Sequence, residues 1–144
     1  MEDDLDMIVV LGGTNDFAIG NNVVLGTPDD ITDISFYGAL DVLCRGLLTK
    51  YPDKRIVFIT PILRNNSTGS EGVANDRGFT IEQVRQAIVE VAQDRYGLIV
   101  INGKSLGISP YSPNKTEYIW DGLHPNPPGY EMMGKNLGHI LSAI

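Results

Sequence analysis

The chain has 144 residues, and a single domain of that size buries about 70% of its unfolded-chain surface, enough for one core. Hydrophobic residues make up 42% and charged residues 20%, the composition of an ordinary soluble globular protein. With 18 acids against 11 bases the net charge is −7, which argues against a nucleic-acid backbone as partner, and no apolar run approaches the ~20 residues of a membrane span.

The acids Glu2, Asp3, Asp4 and Asp6 are the reverse of a signal peptide's basic start. A cytoplasmic location therefore fits the chain as given, and secretion of a full-length form stays open. Residues 7–11, Met-Ile-Val-Val-Leu, form a continuous apolar run ended by two glycines, the pattern of a strand buried on both faces. Phe36, Leu40, Leu43 and Leu47 recur at helical spacing over about residues 35–50, and the single cysteine, Cys44, falls on that pattern as a core residue. A second apolar strand is predicted at 55–60, stopped by Pro61. Thr80 and Gln83 form a capping box before a helix whose stripe is Ile81, Val84, Ile88 and Val91, and Gly97 is placed to end it. A third strand follows at 98–101. Pro127 and Pro128 open a last helix whose inner face is Tyr130, Met133, Leu137, Ile140 and Ile144.

This order, β-α-β-α-β-loop-α, predicts a parallel sheet covered on both faces within one domain, residues 1–144. Ligands of such sheets sit beyond the carboxyl ends of the strands. Three segments leave those ends, 12–30, 62–78 and 102–121, the second being either a surface excursion or a substrate-facing flap.

Two motifs fall on that rim. In Gly12-Gly13-Thr14-Asn15-Asp16 the glycines let the chain turn out of the sheet, Asn15 can offer an amide donor, and Asp16 can fix the loop by local hydrogen bonds. The same residue types also make an ordinary turn. In Asp121-Gly122-Leu123-His124-Pro125-Asn126 the proline keeps His124 extended, and Asp121 can accept its Nδ1–H. That bond fixes the tautomer and leaves Nε2 free to take a proton; the alternative is a proline-rich turn with a surface histidine. The only other histidine, His139, has no ligand-type partner spaced with it, so no metal is expected. Gly103-Lys104-Ser105-Leu106-Gly107 matches the nucleophile-elbow pattern, but Pro110 and Pro113 follow where that elbow requires a helix, so Ser105 is not expected to be the nucleophile.

Together, Gly13-Thr14-Asn15-Asp16 after a strand and the Asp121–Pro125 block before a terminal helix resemble the third and fifth sequence blocks of the SGNH/GDSL hydrolase superfamily. Residues 59–62, Ile-Thr-Pro-Ile, also resemble that family. The resemblance implies a three-layer α/β/α fold with a parallel sheet, flavodoxin-like, and esterase, lipase or carbohydrate-deacetylase activity on a small ester or acylated carbohydrate without a cofactor. By position it assigns the oxyanion role to Asn15, the triad acid to Asp121 and the general base to His124, with Gly13 and Asp16 in support. The family's first block, which carries the nucleophilic serine, has no counterpart here, nor has its second-block glycine. A βα unit needs about 30 residues, so the reading expects a chain lacking the first βα unit, with the nucleophile on a missing N-terminal segment or a partner chain. An uncovered edge would then favour a homodimer. The alternative is a non-catalytic binding or assembly domain on the same scaffold.

Overall fold

The computed structural model describes residues 5–144, so Glu2, Asp3 and Asp4 lie outside the described residues. β1 (Met7–Leu11) leads into a single helical turn, α1 (Thr14–Phe17). α2 (Phe36–Lys50) opens with Ser35 accepting from the Gly38 N–H, and β2 (Arg55–Ile59) follows. A small hairpin, β3 (Asn65–Asn66) with β4 (Gly69–Ser70), rises from the loop beyond. α3 (Ile81–Ile88) carries the expected capping box of Thr80 and Gln83. It runs on as a π-helical stretch, Val89–Arg95, before β5 (Ile99–Ile101). α4 (Pro127–Ser142) closes the chain, capped by Asn126.

The sheet is parallel with order β1-β2-β5, so β2 is central. Its alternation splits the core in two. Ile56 and Phe58 face α2 and α3 and pack with Ile8, Leu40, Cys44, Leu47, Val84 and Val91. Val57 and Ile59 face the other way, among Ile101, Leu106, Ile108 and the inner side of α4. Three layers result, helices on both faces of a parallel sheet, as the strand–helix alternation predicts.

Two expectations need correction. β1 is not buried on both faces: Val9 is 42% and Leu11 53% exposed, because β1 pairs with β2 on one side and with no strand on the other among the described residues. An apolar run identifies a strand without identifying what covers it. On α4, Met133, Leu137 and Ile140 face inward as expected, joined by Met132 and Leu141, whereas Tyr130 and Ile144 are exposed. Tyr130 sits in the first turn of the helix, and Ile144 follows its end.

Candidate active site

The carboxyl ends of β1 and β2 and the strap before α4 meet at one rim. On the strap, Asp121 and His124 are brought together as expected: His124 Nδ1 lies 2.8 Å from Asp121 Oδ2. The other carboxylate oxygen accepts the backbone N–H groups of Leu123, at 3.0 Å, and His124, at 2.8 Å. These bonds, the backbone N–H of His124 foremost and its ring next, hold the Asp121 pKa down to about 2. The carboxylate is therefore ionised throughout the neutral range, and an anion at Nδ1 keeps the proton there. Nε2 makes no hydrogen bond among the described residues. Both side chains are open to solvent, His124 at 65% and Asp121 at 50%. Local geometry explains the strap. Gly122 has φ +85°, and a Cβ there would collide with the carbonyl oxygen of Asn65. The strap is pinned by Trp120 N–H to the His124 carbonyl and by Asn126 N–H to the Tyr118 carbonyl, each 2.9 Å.

His124 faces a hollow of about 230 Å³ lined mainly by apolar groups, among them Leu11, Pro61, Ile62, Leu123, Tyr130 and Met133. Gly12 and Thr14 complete that lining, so the glycine-rich loop and the histidine strap do share one end of the sheet. Gly13 makes the turn with φ +94°, where a Cβ would press on Val84 at 2.9 Å. Asn15 stands exposed one residue beyond Thr14, and its side-chain amide donates no hydrogen bond among the described residues. Asp16 does not fix the loop as expected: its carboxylate makes no hydrogen bond among the described residues, and Asp16 instead borders a second hollow, of about 200 Å³, on the α2 side. The loop is held from elsewhere, by Asn21 on the Asn15 carbonyl and by Arg64 on Thr14. A charged side chain reaching in from the loop after β2 can grip a backbone that a neighbouring carboxylate does not reach.

Arg64 and Arg85 are what the sequence reading missed. Arg64 is completely buried, and Arg85, 3% exposed, binds the carbonyls of Pro61 and Ile62 and both oxygens of Glu71. Nothing local marks either residue in the sequence, since one lies in a polar loop and the other on a helix among ordinary charges. The segment 62–78 is thus pinned along much of its length.

No serine among the described residues lines the hollow that holds His124. Ser105 is exposed on a short 3₁₀ turn after β5, with no hydrogen bond to His124. Thr14 and Tyr130 are the hydroxyl-bearing residues among those lining the hollow, and Thr14 Oγ1 accepts from the buried Arg64 at 3.0 Å. No group of three or more His, Cys, Asp or Glu residues among the described residues could hold a metal ion. No helix among them is long and apolar enough to cross a membrane.

The sequence profile of the GDSL-like lipase/acylhydrolase family matches residues 2–132. Comparison with proteins of curated function returned no match. Among solved structures, one is 35% identical with a TM-score of 0.92; the alignment covers all of this chain and 67% of the other. A protein from Lactobacillus plantarum is 31% identical with a TM-score of 0.87, over 99% of this chain and 69% of its own. A third, described as a possible lipase from Chitinophaga pinensis DSM 2588, shares the fold at 18% identity and a TM-score of 0.70, covering 96% of this chain and 72% of its own.

Proposed function

This chain belongs to the GDSL-like lipase/acylhydrolase family, and from that premise we propose that it supplies the acid–base pair and one oxyanion donor for hydrolysis of a small ester or acylated carbohydrate. The observation that carries this reading is the 2.8 Å contact between His124 Nδ1 and Asp121, with the imidazole facing an apolar hollow at the sheet's carboxyl end. A serine hydroxyl carried alongside the open edge of β1, from a preceding segment or a separate chain, attacks the ester carbonyl while His124 Nε2 takes its proton. Asp121 stabilises the resulting imidazolium, and Asn15 donates to the tetrahedral oxyanion. Collapse expels the alcohol, which receives the proton from His124, and water then releases the acid by the same steps in reverse roles. The apolar lining of Leu11, Ile62, Leu123 and Met133 suits the acyl group.

The 144-residue chain alone should give no measurable turnover of short-chain nitrophenyl esters. Supplying a serine-bearing βα segment, fused or separate, should produce turnover that His124→Ala abolishes. Turnover by the chain alone that is lost in Ser105→Ala would overturn the assignment. One observation favours a second reading, a non-catalytic binding scaffold: the exposed Asp121–His124 pair has no serine in its hollow. A completed protein that folds, presents the pair and still turns over no ester would establish that reading.

A further inference from the structure

Arg64 is the largest side chain with essentially no exposure, and its guanidinium makes no ion pair among the described residues, Glu71 accepting instead from its backbone N–H at 3.0 Å. Its partners are neutral oxygens: the Thr14 carbonyl at 2.7 Å, Thr14 Oγ1 at 3.0 Å, Thr68 Oγ1 at 2.6 Å, Asn66 Oδ1 at 3.1 Å and the Gly69 carbonyl at 3.3 Å. The guanidinium also lies over the Phe17 ring, 5.1 Å from its centroid. Five donors in a rigid planar fork thus meet five acceptors. Burying a cation is costly, and an apolar side chain of similar size would fill the same space without that cost, so packing alone does not account for an arginine here.

What the fork joins is informative. One side holds the peptide carbonyl immediately before Asn15. The other side gathers the β3–β4 hairpin, whose Asn65 N–H donates to the Gly122 carbonyl at 2.8 Å, inside the strap between Asp121 and His124. The hairpin is tied back to the first loop by the Ile19 N–H on the Thr68 carbonyl at 3.0 Å. Both halves of the candidate site therefore hang on one buried group.

We propose that Arg64 is a positioning residue that sets the Asn15 loop and the Asp121–His124 strap in register through the β3–β4 hairpin. This rests on the hydrolase reading for its purpose, but the coupling itself is independent of catalysis. A planar peptide turns as a unit, so fixing the Thr14 carbonyl fixes the Thr14–Asn15 peptide plane from which the Asn15 side chain projects. Lysine retains the charge but cannot reproduce the fork.

The test is amide hydrogen exchange on the 144-residue chain, with Arg64→Lys as the variant and Arg64→Met beside it. In both, the amides of Ala18, Leu123 and His124 should exchange at least about tenfold faster while those of β2 and α3 stay unchanged, the pattern of local rather than global opening. A change confined to residues 64–70 would overturn the coupling. Uniform acceleration, or loss of the folded spectrum in Arg64→Lys, would assign the residue to overall stability and overturn it equally. His124→Ala separates the two claims, because it should leave exchange at Ala18 unaltered whether or not the chain takes part in ester hydrolysis.

Discussion

β1 and β2 are two five-residue apolar strands lying side by side in register, Met7 against Arg55 through Leu11 against Ile59, yet they sit in different environments. Ile56, Val57, Phe58 and Ile59 are all buried, whereas Val9 and Leu11 are about half exposed. The difference lies in their neighbours. β2 has a strand on each side and helices on both faces, while β1 has an edge left open among the described residues, and Gly12 at its end borders both apolar hollows. A half-covered strand beside His124 is poor stabilising material and a good seat for another segment.

The largest effect that sharpens this contrast is on stability. Phe58→Ala should cost about 3–5 kcal/mol, because the ring is 2% exposed in the α2–α3 core. Leu11→Ala, at 53% exposure, should stay within about 1 kcal/mol. Urea unfolding of the two variants measures both, and equal losses would mean that β1 is covered in solution.

The second effect is on assembly. An unpaired apolar edge invites pairing, so the 144-residue chain should self-associate, and Leu11→Lys should shift it toward monomer. Sedimentation velocity across a range of concentrations checks this. Association that is indifferent to Leu11→Lys would place the contact elsewhere.

The smallest effect is on the pH dependence of stability at the exposed rim. The folded Asp121 pKa, about 2, lies below the ordinary carboxylate value of about 3.9, so its stabilising contribution is complete above about pH 4. That contribution is lost as the pH falls through about 2. Asp121→Asn should remove this part of the acid limb and leave the neutral-pH difference small, since the pair is solvent-screened. Urea midpoints measured from pH 6 down to pH 2 for both proteins would show it; parallel curves would mean that the hydrogen bonds to Asp121 do not persist in solution.

Much of this molecule is legible in the chain itself, because the signals are local. An apolar run ended by glycine gives β1, the Thr80–Gln83 box gives the start of α3, and Pro127 with Pro128 gives the start of α4. The contact between Asp121 and His124 is legible for the same reason, since three residues and a following proline are enough to bring them together. Other features depend on what the fold places nearby. Exposure of Val9 and Leu11 is a property of the sheet's edge, and that of Tyr130 of what packs against the first turn of α4. Arg64 reaches Thr14 across 50 positions of sequence, and no local pattern announces a bond of that range. The chain by itself determined the three strands of the parallel sheet, the three long helices, their order and the Asp121–His124 contact, each through interactions a few residues long; the tertiary structure decided where the β3–β4 hairpin forms, which strand lies open among the described residues and what grips the Asn15 loop, because those depend on contacts between segments far apart in the chain.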